Sequence, residues 1–277
     1  MSVKTNQNGQ IIKPEITPVT KMTDMIYKYT GEFARVLPRH VTPDRLTRIV
    51  ATAIRVTPKL AECTPISFVG SVMQSAQLGL EPNTMTGHSY LVPFRNSKRN
   101  VMECTLIIGY QGMIELALRS GKVGSLIAYA VREGDQFYFR YGLDPQCDHI
   151  PSSDSGRDSL PLTHTYAVAS VGTSKLFEVL SREQIDARRK RSSSAKRGFS
   201  PWDTDYESMA RKSAIRALYK YLPKSHEITT AIALDVAAET YKPQSHAYDP
   251  QLADMLHSKG LLDDTEDNIV DEGSENA

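Results

Sequence analysis

The sequence has few of the features that mark secreted, membrane or metal-binding proteins. Its three cysteines, Cys63, Cys104 and Cys147, are odd in number and far apart. This pattern excludes a disulfide framework and a four-cysteine zinc site. No apolar run reaches the roughly 18 residues that cross a bilayer, and the first ten residues lack the apolar core of a secretory signal. We therefore predict a cytoplasmic protein that does not contact a membrane.

The sequence also lacks the motifs of the common nucleotide-driven and hydrolytic enzymes. A GxxxxGK[ST] phosphate loop is absent, because Leu116 stands where the motif ending at Lys122 needs its first glycine. No GxGxxG fingerprint and no GxSxG nucleophile elbow occur. His226-Glu227 begins like a zinc-protease helix, but Thr230 replaces the second histidine. We therefore predict no catalytic site, no metal and no cofactor, which argues against an ATP-driven strand-exchange motor.

Charge is distributed unevenly, although the whole chain carries a net charge of only +1. From Tyr241 to the end there are two basic and nine acidic residues, while the first 240 residues hold 31 basic and 23 acidic ones. A basic body indicates a polyanionic partner, and an acidic end indicates a regulatory or protein-binding segment. A solvated surface with a disordered tail explains the same numbers.

The spacing of apolar residues predicts helices toward both ends of the chain and a sheet between them. Steps of three and four residues predict helices over 19–36, 42–56, 64–78, 111–120 and 204–222, and a Ser181–Gln184 capping box starts another. β-branched and aromatic residues predict strands over 88–94, 101–110, 126–132, 136–141, 163–171 and 176–181. Residues 144–161 are rich in turn-forming residues and are expected to form a mobile loop. This order predicts an α+β domain with an antiparallel sheet packed against helices.

Two basic segments point to the polyanionic partner. The first runs from Arg182 to Gly198 and is interrupted by three consecutive serines, which is typical of a flexible arm. Cations on such an arm neutralise consecutive phosphates, and a solvated linker is the alternative. The candidate DNA-binding residues on this arm are Arg188, Arg189, Lys190, Arg191, Lys196 and Arg197.

The second basic segment is the helix predicted over 204–222. Lys212, Arg216 and Lys220 fall within an arc of about 80°, about 6 Å apart along the axis, while apolar residues fill the opposite arc. No glutamate lies four residues from any of the three, so we expect them to face solvent and to track the phosphates of an extended strand. Arg211 lies inside the apolar arc. It either snorkels, pairs with a carboxylate or lines the floor of a groove.

Aromatic residues accompany the cations and are available to stack on bases. Most of them are better explained as core of the sheet. Tyr110 and Trp202 are the stronger candidates, because each sits at a junction between predicted elements beside polar residues. The remaining predicted DNA-binding residues are Arg95, Lys98, Gln111, Arg119, Lys122, Arg132 and Arg211.

Six stretches, in order between about residues 35 and 225, carry a family resemblance. They are LPRHVTPDRLTRI (37–49), SFVGSVMQSAQLGLEP (67–82), GHSYLVPF (87–94), LIIGYQGMIELALRSG (106–121), VREGDQFYFRYGLD (131–144) and MARKSAIRALYKYLP (209–223). Together they resemble the RecT branch of the RecT/Red-beta single-strand annealing proteins of phages and prophages.

The resemblance implies ATP-independent binding and annealing of complementary single-stranded DNA in phage recombination, beside a phage 5′–3′ exonuclease that produces the strands. It implies rings or helical filaments on single strands and on the annealed duplex intermediate, in the nucleoid of a bacterial host. It also implies a fold similar to the Red-beta/recombination-mediator annealing fold, with a narrow basic groove. In the family, the turn at 109–112 joins a strand to a helix, where small residues let a DNA strand approach or serve packing only.

From these observations we predict three parts of the chain: a disordered N-terminus (1–20), a DNA-binding, oligomerising annealing domain (21–240) and a flexible acidic tail (241–277). The resemblance implies that the tail docks a partner such as the host single-strand-binding protein. Two alternatives stay open. One is a metal-dependent nuclease that holds magnesium through Glu103, Glu115 or Asp135, and the other is a protein that protects single strands without annealing them.

Overall fold

The computed structural model describes residues 17–192, 200–223, 225–240, 244 and 250–258. Its helices are α1 (Pro18–Lys28), α2 (Thr30–Val36), α3 (Pro43–Val56), α4 (Pro65–Leu78), α5 (Tyr110–Arg119), α6 (Arg182–Arg191), α7 (Pro201–Thr204), α8 (Tyr206–Leu218), α9 (His226–Thr240) and α10 (Pro250–Ser258). Its strands are β1 (Ser89–Asn96), β2 (Val101–Ile108), β3 (Ser125–Arg132), β4 (Gln136–Arg140), β5 (Gln146–Ile150), β6 (Leu162–Val171) and β7 (Ser174–Ser181). No helix in these ranges is long and apolar enough to span a membrane.

Local sequence signals set the ends of several helices as predicted. Thr42-Pro43 and Thr64-Pro65 begin α3 and α4 with proline in the first turn, where its missing N–H is not needed. Gly79 ends α4 in the left-handed conformation, with φ of 60°. One predicted helix is divided: Tyr29 ends α1 and precedes α2, so residues 19–36 form two helices instead of one.

All strand pairs are antiparallel, and they form a β1–β2 hairpin, a three-stranded β3–β6–β7 sheet and a β4–β5 hairpin. α8 packs on the three-stranded sheet, and α4 and α9 pack on β2. The small buried residues Ala210, Ala214 and Ala217 let α8 lie close to the sheet, and Thr165 of β6 donates its hydroxyl to the Ala210 carbonyl at 3.3 Å. The predicted α+β fold with antiparallel sheet is confirmed.

The segment 144–161, expected to be a mobile loop, is instead built into the domain. It contains β5 and a short 3₁₀ turn, Arg157–Ser159. Arg157 donates two hydrogen bonds, of 2.6 and 2.7 Å, to the buried carboxylate of Asp135, and His149 contacts the same carboxylate at 3.0 Å. The hydrogen bonds from Arg157 hold the pKa of Asp135 far below its usual value. The loop prediction is therefore wrong, because long-range pairing outweighs the turn-forming composition.

The predicted domain boundary at residue 240 is also too early. Gln244 is buried and its side chain accepts from the Leu106 N–H at 2.9 Å and donates to the Leu106 and Leu234 carbonyls at 2.7 and 3.1 Å. Leu252 and Leu256 of α10 belong to the hydrophobic core. The expectation that residues from 241 onward stay apart from the core is thus wrong for these positions.

Candidate nucleic-acid interface

A cleft of about 360 Å³ opens between α6, α8 and α9. The charged side chains that line it are Arg188 and Arg191 of α6, Arg216 of α8, and Lys220 in the turn after α8. Among the described lining residues no carboxylate occurs, and the rest of the lining is Ser213, Ala217 and Val236. We call this feature the basic cleft. The predicted arm and the predicted helix stripe therefore converge on one site.

Contacts on the far side of α6 explain why Arg188 and Arg191 line the cleft. The predicted capping box is present, with Gln184 N–H donating to Ser181 Oγ at 3.3 Å and Ser181 N–H donating to Gln184 Oε1 at 3.1 Å. Asp186 accepts hydrogen bonds from Arg182 at 2.9 Å and from the Tyr206 hydroxyl at 2.7 Å. These bonds join α6 to the start of α8 and fix one wall of the basic cleft.

Electrostatics support this connection between α6 and α8. Burial raises the pKa of Asp186, but the hydrogen bonds from Tyr206 and Arg182 lower it more, so that it lies below its ordinary value. The Arg182 guanidinium carbon stands 4.7 Å from the centre of the Tyr206 ring. Arg189 contacts Asp203 at 2.5 Å. Arg189 thus connects α6 to α7 and does not line the basic cleft. Lys190, the next residue on α6, is exposed.

Lys212 does not face solvent, so the predicted stripe of three exposed cations is wrong at this position. Its side chain is 9% exposed, and Nζ lies 2.5 Å from Oδ1 of Asp235, which is 1% exposed. Arg216 Nε lies 3.3 Å from Oδ2 of the same carboxylate. The reason is tertiary: Asp235 of α9 supplies a carboxylate to a face of α8 on which no glutamate lies four residues from Lys212 or Arg216. Arg216 and Lys220 still reach the basic cleft.

Arg211 pairs with a carboxylate, which was one of the three alternatives predicted for it. Glu207, one turn earlier on α8, accepts from Arg211 and, through its other oxygen, from Arg132 at 2.5 Å. Arg132 also donates to the Leu160 carbonyl at 2.8 Å. Arg132 therefore joins β3 to α8 and to the 157–160 turn, while Arg211 forms its pair within α8. Neither arginine lines the basic cleft.

The other predicted cations on the β1–β2 and α5 side of the fold do not line the basic cleft either. Arg119 donates to the Leu78 and Gly79 carbonyls at 2.8 and 3.3 Å and so satisfies the end of α4. Arg95 contacts Asn100 within the β1–β2 turn. Lys98, Gln111 and Lys122 are exposed.

The predicted stacking residues differ in their burial. Trp202 is only 1% exposed, because α7 folds its ring against Tyr206, with ring centroids 5.8 Å apart. Its prediction as a base-stacking residue is therefore wrong in this conformation. Tyr110 is half-buried and packs against the core at the start of α5.

The glycines of the 109–112 turn are explained by packing. A Cβ at Gly109 would lie 2.0 Å from the Gly87 carbonyl oxygen, and one at Gly112 would lie 2.1 Å from the His88 carbonyl oxygen. The chain's own backbone thus occupies the space that a DNA strand would need. Lys196 and Arg197 of the predicted arm lie outside the described residues.

The carboxylates considered for a nuclease are not brought together. Glu103 of β2 accepts from Asn96 at 3.0 Å, Glu115 of α5 pairs with Arg119 at 3.0 Å, and Asp135 is held by Arg157. Within the described ranges, no group of three or more histidine, cysteine, aspartate or glutamate residues is placed to hold a metal ion.

Sequence reasoning missed Asp235 and Val236, because no element was predicted over residues 225–240. α9 forms one side of the basic cleft through Val236 and neutralises Lys212 through Asp235. A signal was present in the sequence, since Asp235 is a lone acid within the apolar run AIALDVAA. A buried acid of this kind needs a cationic partner.

Comparison with known proteins agrees with the resemblance read from the sequence. The profile of the RecT family matches residues 44–246. Protein RecT of Escherichia coli (strain K12) is 47% identical over 209 residues, which cover 74% of this chain and 75% of that protein. The uncharacterized protein YqaK of Bacillus subtilis (strain 168) is 24% identical over 195 residues, which cover 67% of this chain and 61% of that protein. The chain therefore belongs to the RecT family.

Proposed function

We propose that this protein binds single-stranded DNA in the basic cleft and anneals complementary strands during recombination, without ATP and without a catalytic step. The observation that carries the proposal is the convergence of Arg188, Arg191, Arg216 and Lys220 on one cleft whose described lining has no carboxylate. Membership of the RecT family gives independent support.

The chemistry of the lining favours contact with the DNA backbone over contact with bases. Guanidinium and ammonium groups bind phosphate oxygens irrespective of sequence. The uncharged lining residues, Ser213, Ala217 and Val236, offer no aromatic face for stacking. A strand held by its phosphates leaves its bases exposed, so base pairing with a second strand supplies the specificity.

The wider proposal concerns partners. Copies of this chain assemble into rings or filaments that extend the basic cleft along a strand and hold the annealed duplex intermediate. A phage 5′–3′ exonuclease supplies the strands in the nucleoid of the bacterial host, and the acidic segment after residue 258 docks the host single-strand-binding protein. The support for these partners is the family relationship together with the charge of that segment.

The test removes two cleft cations, with Arg191→Ala and Lys220→Ala in one chain. Both side chains are exposed, so the fold should be retained. We expect binding of an oligo-dT strand to weaken roughly tenfold or more, because hydrogen bonds to charged groups contribute about 1.5–3 kcal/mol each. The slope of log Kd against log salt should fall by about 1.4, or about 0.7 per lost phosphate contact.

The matched control is Lys21→Ala with Lys28→Ala, which removes two exposed cations from α1. It should leave both the affinity and the slope unchanged. The same preparations separate the alternatives: annealing of complementary oligonucleotides without ATP distinguishes this protein from one that only protects strands. Release of nucleotides in the presence of magnesium would identify a nuclease. An unchanged salt slope in the folded cleft variant would refute the assignment of the site.

A further inference from the structure

The three-stranded sheet has two edges that differ in what lies beside them. At one edge, α5 packs beside β3, and the Ala130 carbonyl of β3 accepts from Arg157 at 3.5 Å. At the other edge lies β7, which pairs with β6 on one side. In the described ranges no further strand pairs with β7 on its other side. We call this side the β7 edge.

The backbone of β7 still has hydrogen-bonding groups to offer at this edge. In an antiparallel strand, alternate residues direct both their N–H and their C=O away from the paired neighbour. Val179 is one of these residues, because its N–H donates to the Tyr141 hydroxyl at 3.0 Å and not to β6. Lys175 and Phe177 follow the same alternation, and the part of the chain that the structure describes gives their outward groups no hydrogen-bond partner. The β7 edge can therefore pair with an added strand at these two residues.

The side chains next to the β7 edge form an exposed apolar row. Phe177 lies on the face of the sheet that is turned away from α8, and its ring stacks on Tyr141 with centroids 5.3 Å apart. Val168 of β6 and Ile127 of β3 continue the row across the sheet. Tyr141 and Ile127 are both about half exposed. Apolar surface beside an unpaired strand edge favours the addition of a further strand.

Charged side chains decide how a second copy of β7 could pair there. Two antiparallel alignments place Lys175 opposite Lys175 or Glu178 opposite Glu178, and like charges directly opposite each other destabilise a sheet. A third alignment places Phe177 opposite Phe177 and needs the Val179 N–H, which is already bonded within the chain. The alignment centred on Leu176 has none of these conflicts. Lys175 therefore selects a register, although lysine on an edge strand usually discourages pairing altogether.

We infer that β7 pairs with β7 of a second copy of this chain, antiparallel and centred on Leu176. Lys175 of each copy lies opposite Phe177 of the other, and each such pair exchanges N–H···O bonds in both directions. The ammonium group of Lys175 then lies beside the ring of the opposite Phe177, where cation–π attraction favours the pairing. The two sheets join into one sheet of six strands, with both copies of α8 on the same face.

This contact differs in kind from the contacts that build rings and filaments. It is isologous, because the same strand serves both copies, and it closes once two copies have met. A ring or a filament needs a heterologous contact, in which two different surfaces meet. The β7 pairing therefore goes beyond the proposed function, because it joins two copies, or two rings, without building the ring. Its test uses the protein without DNA.

The first experiment is a disulfide cross-link in the full chain. Cys147→Ser removes the half-buried cysteine, while Cys63 and Cys104 are buried. Leu176→Cys in this background places two thiols opposite each other in a pair without hydrogen bonds, whose Cα atoms lie about 4.5 Å apart, which suits a disulfide. We expect a dimer that forms under mild oxidation and disappears with a reductant.

Two further cysteines test the register and chance collision, in the same background. Phe177→Cys places the thiols opposite each other only in the rival alignment. Ile127→Cys places an exposed thiol on the same face of the sheet but on β3, away from the β7 edge. Both should cross-link about tenfold more slowly than Leu176→Cys, because their thiols lie outside the narrow range of Cα separations that a disulfide spans. Melting curves confirm that each variant is folded.

The second experiment removes a backbone donor from the β7 edge and measures the mass of the DNA-free protein by sedimentation. Lys175→Pro deletes an N–H that bonds nothing within the described fold, and proline is tolerated at such edge positions. We expect the association to weaken roughly tenfold or more, because one intermolecular hydrogen bond is lost from each copy. The mass should therefore halve. Lys175→Ala is the matched control, since it keeps the N–H and should keep the mass.

Three results would overturn the inference. The first is a folded Leu176→Cys protein that forms no cross-link and sediments as single copies, which would leave the β7 edge to an extended segment of another protein. The second is cross-linking of Ile127→Cys at the same rate as Leu176→Cys. The third is dissociation of an assembly of more than two copies into single copies by Lys175→Pro, which would make β7 part of the ring contact. Failure of the proposed function shows instead as loss of DNA binding and leaves the cross-link unchanged.

Discussion

The two halves of α8 carry the same kinds of cation and use them in opposite ways. In the first half, Arg211 pairs with Glu207, and Lys212 is buried against Asp235. Toward the other end, Arg216 and Lys220 line the basic cleft, and Lys220 is exposed in the turn that follows the helix. In the first half, Lys212 joins α8 to α9 and Arg211 forms a pair within α8. In the second half, Arg216 lines the basic cleft while it contacts Asp235, and Lys220 is exposed to solvent.

The difference shows that residue spacing predicts which face of a helix a side chain is on, but not which other element packs against that face. Lys212, Arg216 and Lys220 are spaced four residues apart and point to one side of α8. Asp235 of α9 contacts Lys212, whereas Lys220 stays exposed. Asp235 contacts both Lys212 and Arg216, so these three side chains together carry one net positive charge beside the basic cleft.

The largest expected effect is a loss of folding stability when the buried lysine in the first half of α8 is removed. Lys212→Ala should lower the free energy of unfolding by about 3–5 kcal/mol, because it leaves a buried carboxylate without its closest partner. Chemical denaturation measures this loss. The salt slope of DNA binding should stay at the wild-type value under conditions in which the variant is folded.

Lys220→Ala is the matched control for Lys212→Ala, since it removes the same side chain from the other end of the stripe. It should leave the free energy of unfolding within about 0.5 kcal/mol of wild type and lower the salt slope by about 0.7. The comparison breaks down if Lys212→Ala reduces the slope while the protein keeps its wild-type stability.

A smaller effect is expected at Arg211. Its ion pair with Glu207 is partly exposed, and exposed pairs contribute about 0.2–1 kcal/mol. Arg211→Ala should therefore cost about that much stability, since Glu207 keeps its bond to Arg132. Annealing should proceed at the wild-type rate. Slow annealing by a stable Arg211→Ala protein would place this arginine in the DNA-binding surface and remove the division between the two halves.

The smallest effect on stability is expected from removal of the acidic end. Residues 259–277 hold seven acidic residues and one lysine, so we expect them to compete with DNA for the basic cleft. A chain ending at Ser258 should unfold like wild type and bind single strands a few-fold more tightly at low salt, where surface charges are least screened. Annealing of strands coated with the host single-strand-binding protein should be lost, while annealing of naked strands persists.

A chain ending at Thr240 is the contrast, because it also removes Gln244 and α10. It should lose stability, since three hydrogen bonds of Gln244 and the buried side chains of Leu252 and Leu256 disappear with it. Equal stability of the two truncated chains would show that α10 does not hold to the core in solution.

Local signals made much of the fold predictable. The prolines at the starts of α3 and α4, the glycine that ends α4 and the Ser181–Gln184 capping box all act within one helical turn. Predictions failed where distant residues decide. β5 pairs with β4, and His149 of β5 contacts Asp135. Gln244 is buried because it binds the backbone of Leu106, 138 residues earlier.

The sequence by itself determined the family, the α+β class and the two segments that contain the cations we propose to bind DNA, since each depends on local motifs, spacing and composition. Only the tertiary structure decided which of those cations meet solvent. Asp235 on α9, 23 residues from Lys212, is the buried partner of that lysine. The packing of α6, α8 and α9 brings four other cations to one cleft: Arg188, Arg191, Arg216 and Lys220. The physical reason is that a charged side chain can be buried only beside an opposite charge, and that opposite charge can come from a distant part of the chain.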